Sequence, residues 1–233
     1  MLKKSNSSNM ALLCVVATAF FCACGDSDSP SSASQILGTI TDSRDGKTYK
    51  TVSIGSQIWM AENLNYETAN SFCYYNNRDN CDKYGRLYIW SAAMDSAGIW
   101  SSNGMGCGDA SICSPIYPVQ GACPMGWHLP TMVEFETLFA LVGDQYIAGQ
   151  MLKATRSWID RRKERDSYSF SALAAGFRND ENFILEGHDA SFWSSTEFSD
   201  ESAYFVELSD YNDYADLRPL YKNFAFSVRC VKD

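Results

Sequence analysis

The segment Cys123-Pro-Met-Gly-Trp-His-Leu-Pro-Thr131, continued by Met-Val-Glu-Phe-Glu-Thr-Leu-Phe-Ala-Leu-Val-Gly143, decides the fold. Thr131 and Glu134 form a Thr-x-x-Glu capping box, in which each side chain accepts a hydrogen bond from a free backbone N–H at a helix start. Four apolar side chains then recur at helical spacing, namely Phe135, Leu138, Phe139 and Val142. Because these side chains share one face, the segment predicts a helix that packs on a sheet and ends at Gly143.

Short alternating or apolar segments on both sides of this helix predict a mainly antiparallel sheet. Residues 36–58 contain β-formers around Asp45-Gly46, which indicates a hairpin, and Gln57–Met60 predicts a third strand. Later predicted strands are residues 169–175, 190–195, 203–208 and 225–231. Weaker helices are predicted at residues 91–97 and 146–155, a long loop at residues 96–124 and a solvated charged loop at residues 160–166.

The first 35 residues predict an export signal and a tether. Lys3 and Lys4 precede an apolar run from Met10 to Phe21, and Ala23 stands directly before Cys24. A basic start, an apolar core of about 7–15 residues and small residues before the cut are typical of a secretory signal peptide. We expect cleavage before Cys24 and acylation of its thiol, which would anchor the exported protein to the cell envelope, in the outer membrane. The alternative is ordinary secretion with cleavage elsewhere.

These features divide the chain into a lipoprotein signal peptide (residues 1–23), a flexible tether (residues 24–35) and one domain (residues 36–233). The chain has 233 residues, of which 45% are hydrophobic and 14% aromatic, a composition typical of a globular protein. Its formal net charge of -9 repels phosphate backbones, so nucleic acid is excluded as an expected partner.

Six cysteines remain in the predicted domain after Cys14, Cys22 and the acylated Cys24 are set aside. An even number in an exported chain predicts three disulfides. Spacing favours local pairs for the first four, and the predicted bonds are therefore Cys73–Cys81, Cys107–Cys113 and Cys123–Cys230. The last closes a loop that would contribute roughly 4–5 kcal/mol to stability.

A zinc site is the alternative role for these thiols. Zinc sites built on cysteine usually contain a Cys-x-x-Cys pair, and the chain has none. Only His128 and His188 are available as imidazole ligands. We therefore expect neither a metal nor another cofactor.

Several phrases of the sequence resemble one family of exported bacterial modules. They are Asp45-Gly-Lys-Thr-Tyr49, Ile58-Trp-Met-Ala-Glu-Asn-Leu64, Tyr84-Gly-Arg-Leu-Tyr88, Trp90-Ser-Ala-Ala-Met94, the Cys123–Thr131 segment, Phe192-Trp-Ser-Ser-Thr196 and Ser227-Val-Arg-Cys-Val231. Together they resemble the Fibrobacter succinogenes major paralogous domain, which looks related to the group of proteins with a C-type-lectin-like fold.

The resemblance implies an α+β, C-type-lectin-like architecture with a mainly antiparallel sheet, one or two helices and long disulfide-stapled loops. It also implies that the two ends of the domain meet in one sheet. The sequence lacks the Glu-Pro-Asn, Gln-Pro-Asp and Trp-Asn-Asp phrases through which C-type lectins bind sugar through calcium. Calcium-dependent sugar binding is therefore not implied, and the resemblance implies no activity.

Catalytic candidates lack a supporting pattern. His128 could act as a general base, but no nucleophile motif and no HExxH spacing accompanies it, so we expect a structural role. Carboxylates that could form a glycosidase pair are too numerous to single out two: Glu62, Asp109, Glu134, Glu136, Asp189, Glu197 and Glu207. Residues 210–216 are acidic but lack EF-hand spacing, which favours a solvated hairpin tip over a calcium site. We expect no catalytic residue.

Aromatic side chains are the most suggestive functional feature, because flat rings stack on sugars and anchor interfaces. We expect Trp59, Trp90, Trp127 and Trp193 in the core. The candidates for a contact surface are Trp100, Tyr74, Tyr75, Tyr211 and Tyr214.

The leading hypothesis is a non-enzymatic, lipid-anchored envelope module that binds polysaccharide or an envelope protein through aromatic loops. An enzyme on a lectin-like scaffold, either a hydrolase or an oxidase that uses free cysteines, is one alternative. A structural envelope component is the other.

Overall fold

The computed structural model describes residues 37–160 and 165–233. The predicted signal peptide, the tether with Cys24, and residues 161–164 of the predicted charged loop lie outside the described residues. Within the described part of the chain, no helix is long and apolar enough to cross a membrane.

The described residues form thirteen strands and four α-helices. The strands are β1 (Leu37–Thr41), β2 (Thr48–Ile54), β3 (Gln57–Met60), β4 (Ser71–Phe72), β5 (Leu87–Ile89), β6 (Trp127–His128), β7 (Phe177–Asn179), β8 (Asn182–Ile184), β9 (Asp189–Glu197), β10 (Ser202–Ser209), β11 (Ala215–Tyr221), β12 (Ala225–Ser227) and β13 (Val231–Lys232). The helices are α1 (Arg78–Tyr84), α2 (Trp90–Ala93), α3 (Met132–Leu141) and α4 (Gln145–Leu152). A single 3-10 turn spans Tyr74–Asn76.

The first sheet has the strand order β1-β2-β3-β13-β6, and all its pairs are antiparallel. The predicted hairpin around Asp45-Gly46 is confirmed as the β1–β2 connection, and the predicted third strand is β3. Val231 of β13 pairs with Trp59 on one side and His128 on the other. Strands from both ends of the described domain therefore lie in one sheet.

The second sheet follows the path β11-β10-β9-β12-β5-β4, with β7 paired to β12 and β8. Its pairs are antiparallel except β12–β9, which is parallel. The predicted strands at residues 190–195 and 203–208 are confirmed as β9 and β10. The mixed α+β class with mainly antiparallel pairing is thus confirmed, although the strands form two sheets in place of the one predicted.

Two of the predicted strands differ from the observed ones. Residues 225–231 divide into β12 and β13, which belong to different sheets. Residues 169–175 form no named strand, because Ser169 and Ser171 have φ angles of 53° and 54°, outside the extended region. The Asp166 carboxylate instead accepts hydrogen bonds from the backbone N–H and the hydroxyl of Ser171.

The deciding helix is α3. Thr131 caps it with the predicted capping box, since Glu134 N–H donates to the Thr131 hydroxyl and Thr131 N–H donates to the Glu134 carboxylate. Helix α4 confirms the second predicted helix. The third, predicted over residues 91–97, is only the single turn α2, because Asp95 has a left-handed φ of 54°. Helix α1 was not predicted.

Two large apolar clusters surround the sheets. One contains Trp90, Trp193, Phe205 and Phe226, and the other lies under α3 and α4 and contains Trp59. All four tryptophans predicted for the core are buried, which confirms that prediction: Trp59, Trp90, Trp127 and Trp193.

Three disulfides join the pairs that spacing predicted. Cys73 bonds to Cys81, Cys107 to Cys113, and Cys123 to Cys230. The last bond spans 107 residues and ties the segment before α3 to the segment before β13.

Candidate functional site

Trp100 lies in the loop after α2 and is 39% exposed. The indole meets the Tyr66 ring edge to face, with centroids 5.5 Å apart and planes at 81°. The Arg44 guanidinium lies 3.9 Å from the Tyr66 ring centroid and 5.1 Å from that of Trp100. Cation–π contacts of this kind hold an aromatic ring in one orientation.

The Arg44 side chain is held in place by a carboxylate and a backbone carbonyl. Its Nη2 donates to the Asp42 carboxylate at 2.7 Å and to the Ala122 carbonyl at 2.8 Å. Asp42 is fully buried, and the side chain of Arg44 is only 8% exposed. The support under Trp100 is therefore a buried ion pair in place of mobile surface side chains.

Asp95 fixes the backbone that carries Trp100. Its carboxylate accepts hydrogen bonds from the backbone N–H groups of Ile99, Trp100 and Ser101 at 3.0, 2.6 and 3.0 Å. Asp95 is 6% exposed, so these charge-assisted bonds form largely away from water and are strong ones. The position of the indole is consequently set by local backbone contacts as well as by ring packing.

Trp100 forms part of a cleft of about 310 Å³, which we name the Trp100 cleft. The lining side chains other than Trp100 and the Asp95 carboxylate are small, hydroxyl, amide or aliphatic: Thr68, Ala69, Asn70, Ser91, Ala92, Ser96, Ala97, Ile99 and Ala122. Its volume lies at the lower end of the range typical of small-ligand sites. One exposed aromatic face beside several hydroxyl and amide groups suits a ligand that is flat on one side and rich in hydroxyls on its edges.

The long loop at residues 96–124, which we name the stapled loop, is attached at a second place. Lys222 is buried, and its Nζ donates to the carbonyls of Gly108 and Ser111 and, at 2.6 Å, to the Glu197 carboxylate. Glu197 in turn accepts from the Cys113 N–H. The region that follows Trp100 is thus held by a buried ammonium group as well as by the Cys107–Cys113 bond.

Tyr74 is not the exposed contact residue that the sequence suggested. It is only 3% exposed and packs on Phe183, with centroids 5.3 Å apart, and burial raises its pKa to about 12. Its hydroxyl accepts the N–H of Glu186. The neighbouring Tyr75 is 64% exposed, as expected for a contact residue.

The other two candidates occupy the β10–β11 turn. Tyr211 is 73% exposed and stacks on His188, with centroids 5.9 Å apart and planes at 5°. Tyr214 is half exposed and meets Tyr146 of α4 edge to face. Trp100 packs with Tyr66, Tyr75 with Phe183, Tyr211 with His188 and Tyr214 with Tyr146, so the exposed candidates contact different ring partners.

His128 is buried and hydrogen-bonded at both ring nitrogens, the arrangement expected of a structural histidine. Its Nδ1 and Nε2 lie 2.8 Å from the Asp233 carboxylate and 2.7 Å from the Glu134 carboxylate. Burial opposes protonation, but these two hydrogen bonds outweigh it and raise the pKa of His128. Burial likewise opposes ionisation of Glu134, but its bonds to His128 and Thr131 lower its pKa.

Three of the six remaining carboxylate candidates are in ion pairs. Glu62 pairs with Lys50, Glu197 with Lys222, and Glu207 with Arg218. Among residues 37–160 and 165–233, no group of three or more His, Cys, Asp or Glu is placed to hold a metal ion.

Asp189 and Asp210 differ from these paired carboxylates. Burial, opposed by the Ser209 hydroxyl, raises the pKa of Asp189 to about 6. The prediction that residues 210–216 form a solvated hairpin tip is wrong for Asp210. This residue is 5% exposed, and its carboxylate lies 2.9 Å from His188 Nδ1. It is buried because the turn folds back onto His188, whose carbonyl accepts the Asp210 N–H.

The sequence singled out Trp100 but none of the residues that hold it. Arg44, Tyr66 and Asp95 come from three separate segments, and no short motif relates them. The only local signal was the Asp95-to-Trp100 spacing, which is that of a carboxylate capping the loop that follows it.

Comparison with known protein families assigns most of the chain to one domain family. The family model of the Fibrobacter succinogenes major domain matches residues 52–232, a span that includes Trp100 and the whole stapled loop. The chain belongs to this family. No curated protein and no solved structure matches the chain.

Proposed function

We propose that this chain is a non-enzymatic interaction module of the cell envelope, anchored by a lipid on Cys24 in the outer membrane, that binds a glycan in the Trp100 cleft. The observation that carries the proposal is the fixed, partly exposed indole beside a cavity lined by hydroxyl and amide groups. The three disulfides fit an envelope location, because disulfides persist in oxidising compartments outside the cytosol.

Sugar rings present an apolar face of C–H groups and an edge of hydroxyls. An aromatic ring covers the apolar face, and neighbouring polar groups such as Asn70 and Ser91 exchange hydrogen bonds with the hydroxyls. Since Asp95 already holds the backbone of the loop in place, little ordering entropy is lost on binding.

We also infer that the fold belongs to the C-type-lectin-like group. Two features support the inference: β13 lies between β3 and β6 in the sheet that contains β1, and Cys123–Cys230 joins the segment before α3 to the last strand. The calcium-free chemistry of the Trp100 cleft would then be a departure from the sugar site of true C-type lectins.

An enzyme remains the alternative of a different class. An oxidase on this scaffold would need free thiols, and the six cysteines at positions 73–230 are all in disulfides. Titration of the unreduced mature protein with Ellman's reagent should therefore find fewer than two thiols. A structural envelope role would instead be supported by a stoichiometric partner after cross-linking in intact cells.

The test is retention of the purified mature protein on insoluble glycans and in gels that contain soluble glycans. Replacement of Trp100 by Ala should weaken retention about fivefold, because a stacked aromatic ring contributes roughly 1 kcal/mol. Tyr146→Ala is the matched control, since Tyr146 is 60% exposed and lies in another contact group.

Tyr211→Ala distinguishes the second exposed aromatic surface in the same assay. Unchanged retention of this variant supports the Trp100 cleft, and a loss as large as that of Trp100→Ala would place the glycan across the β10–β11 turn. Wild-type protein that is retained on no glycan would refute the sugar version of the proposal.

A further inference from the structure

A second cleft, of about 490 Å³, lies between the β1–β2 hairpin, the C-terminal half of α1 and residues 169–173. We name it the basic cleft after the four cationic side chains that line it: Lys47, Lys50, Lys83 and Arg156. It shares no lining residue with the Trp100 cleft. Nothing in the proposed function uses it.

The charge of this cleft is opposite to that of the chain. Four cations face only Glu62 and Asp82 among its lining residues, whereas the whole chain has 28 acidic and 19 basic residues. Clefts lined by one sign of charge concentrate counter-ions of the other sign. The cleft therefore attracts anions to a protein that otherwise repels them.

Three of the four cations of the cleft are not held in strong ion pairs, whereas the fourth, Lys47, lies 3.2 Å from the Asp45 carboxylate and donates to the Asn65 carbonyl. Lys50 lies 3.7 Å from the Glu62 carboxylate and Lys83 lies 3.4 Å from that of Glu186, with both lysine side chains more than half exposed. Such exposed pairs contribute little and rearrange easily. Arg156 has no ion pair among the described residues.

A buried charge lies behind the floor of the cleft. Arg229 is fully buried, and its Nε and Nη2 donate to the side-chain oxygen of Asn63 at 3.0 and 2.6 Å. Its other donors meet the backbone carbonyls of Met60, Phe170 and Ser171. Asn63 and Ser171 also line the cleft, so this guanidinium is one layer away from it.

All the acceptors of Arg229 are neutral. Asp166 and Glu62 act on it electrostatically, but no carboxylate in the described residues is within ion-pair distance, and burial lowers its pKa to about 9. A buried charge without a counter-ion is costly. An anion in the cleft would supply part of the missing compensation.

The lining groups indicate which anion fits. Hydroxyl and amide side chains stand among the cations, at Thr48, Asn65, Ser169 and Ser171. The end of α1 that faces the cleft is its carbonyl end, at Lys83–Gly85, so this helix offers an anion no N–H groups and recognition would depend on the cationic, hydroxyl and amide side chains. We infer that the basic cleft binds the carboxylate of an acidic sugar, a uronic acid unit of a glycan.

The experiment compares trigalacturonate with its methyl ester, which keeps the sugar rings and removes the charge. Calorimetry with the mature protein should give at least about tenfold tighter binding of the acid, since a charge-assisted contact to a carboxylate is worth roughly one factor of ten. Binding of the acid should weaken as salt is added, because the cations are exposed.

Arg156→Gln removes one exposed cation of the cleft and should weaken trigalacturonate binding about tenfold. Lys232→Gln is the matched control, because Lys232 is exposed on β13 and lines neither cleft. The preference for the acid over its methyl ester should persist in Trp100→Ala, which separates this inference from the glycan site proposed above.

Equal affinity for acid and ester, or an Arg156→Gln variant that binds like wild type, would overturn the inference. So would loss of the preference for the acid in Trp100→Ala, which would place the acid in the other cleft. If inorganic phosphate alone binds as tightly as trigalacturonate, the sugar specificity is refuted.

Discussion

The two clefts are built in different ways. In the Trp100 cleft, a loop without regular structure is fixed by side chains that bond to its backbone, above all Asp95. The basic cleft is instead formed on regular elements, β2 and α1, and its four cations come from three distant segments. The proposed glycan site would depend on the Trp100 ring and the residues that hold it. The proposed anion site would depend on the combined electrostatic field of its cations.

A single cross-link connects the two regions. Cys123 follows Ala122, which lines the Trp100 cleft, and Cys230 follows Arg229, which lies behind the basic cleft. Stability of both sites should therefore respond to this bond, whereas local changes should separate them. The predictions below test that difference.

Removal of the long disulfide should have the largest effect. Cys123→Ala with Cys230→Ala should lower the free energy of unfolding by about 4–5 kcal/mol, because the bond closes a loop of 107 residues. Urea unfolding measures the loss, and binding at both clefts should weaken.

Cys73→Ala with Cys81→Ala is the control, since its short loop predicts a loss of about 2–3 kcal/mol and Cys81 lines only the basic cleft. Equal losses in the two variants would contradict the shared role of the long bond.

The same contrast explains what the sequence could predict. Capping at Thr131, the hairpin at Asp45-Gly46 and the disulfide pairing are local or countable properties, and all three are confirmed. Residues 169–175 were predicted wrongly because alternation does not reveal that Ser171 bonds to Asp166 and turns away from extended backbone.

The two clefts follow the same division. Trp100 could be proposed from the sequence because a single aromatic residue in a predicted loop is enough to suggest a contact residue. The basic cleft could not be predicted, because Lys47, Lys83 and Arg156 are separated by long stretches of chain and only the tertiary fold brings them together. Tyr74 was misjudged for a related reason, since only the position of Phe183 decides that it is buried.

Loss of the Asp95 carboxylate should weaken glycan retention at the Trp100 cleft without affecting the basic cleft. Asp95→Ala leaves three backbone N–H groups without their acceptor, and about 3 kcal/mol of stability should be lost. Retention should fall as far as in Trp100→Ala, while the preference for trigalacturonate over its methyl ester should persist. Retention at the wild-type level would show that ring packing on Tyr66 alone positions the indole.

Asp189→Asn should stabilise the protein and leave both clefts intact, since Asp189 lines neither. The pKa of Asp189 rises from 3.8 to about 6 on folding, so the stability associated with its protonated form is present below pH 3.8 and is lost as pH rises through about 6. Two pKa units correspond to at most about 3 kcal/mol. Because Asn keeps a buried oxygen without a donor, we expect a gain of about 2 kcal/mol at pH 7.5 and almost none at pH 4. Thermal unfolding at both pH values measures it, and a pH-independent change would refute the charge explanation.

The smallest effect should come from His128, which links the start of α3 to Asp233 and lines neither cleft. Its raised pKa gives stability that is present below the ordinary value of 6.5 and is lost as pH rises through the folded-state pKa. The lowered pKa of Glu134 gives stability that is present above 4.5 and is lost as pH falls through its folded-state pKa. The two contributions overlap between about pH 4.5 and 6.5, where His128→Gln should cost about 1 kcal/mol, a value limited by the exposed carboxylate of Asp233.

Urea unfolding from pH 4 to 9 should show this cost shrinking at both ends, and Asp233→Asn should reproduce only part of it. A cost that stays constant across that range would mean that His128 acts through packing alone, and that the charges around α3, unlike those of the basic cleft, contribute nothing measurable.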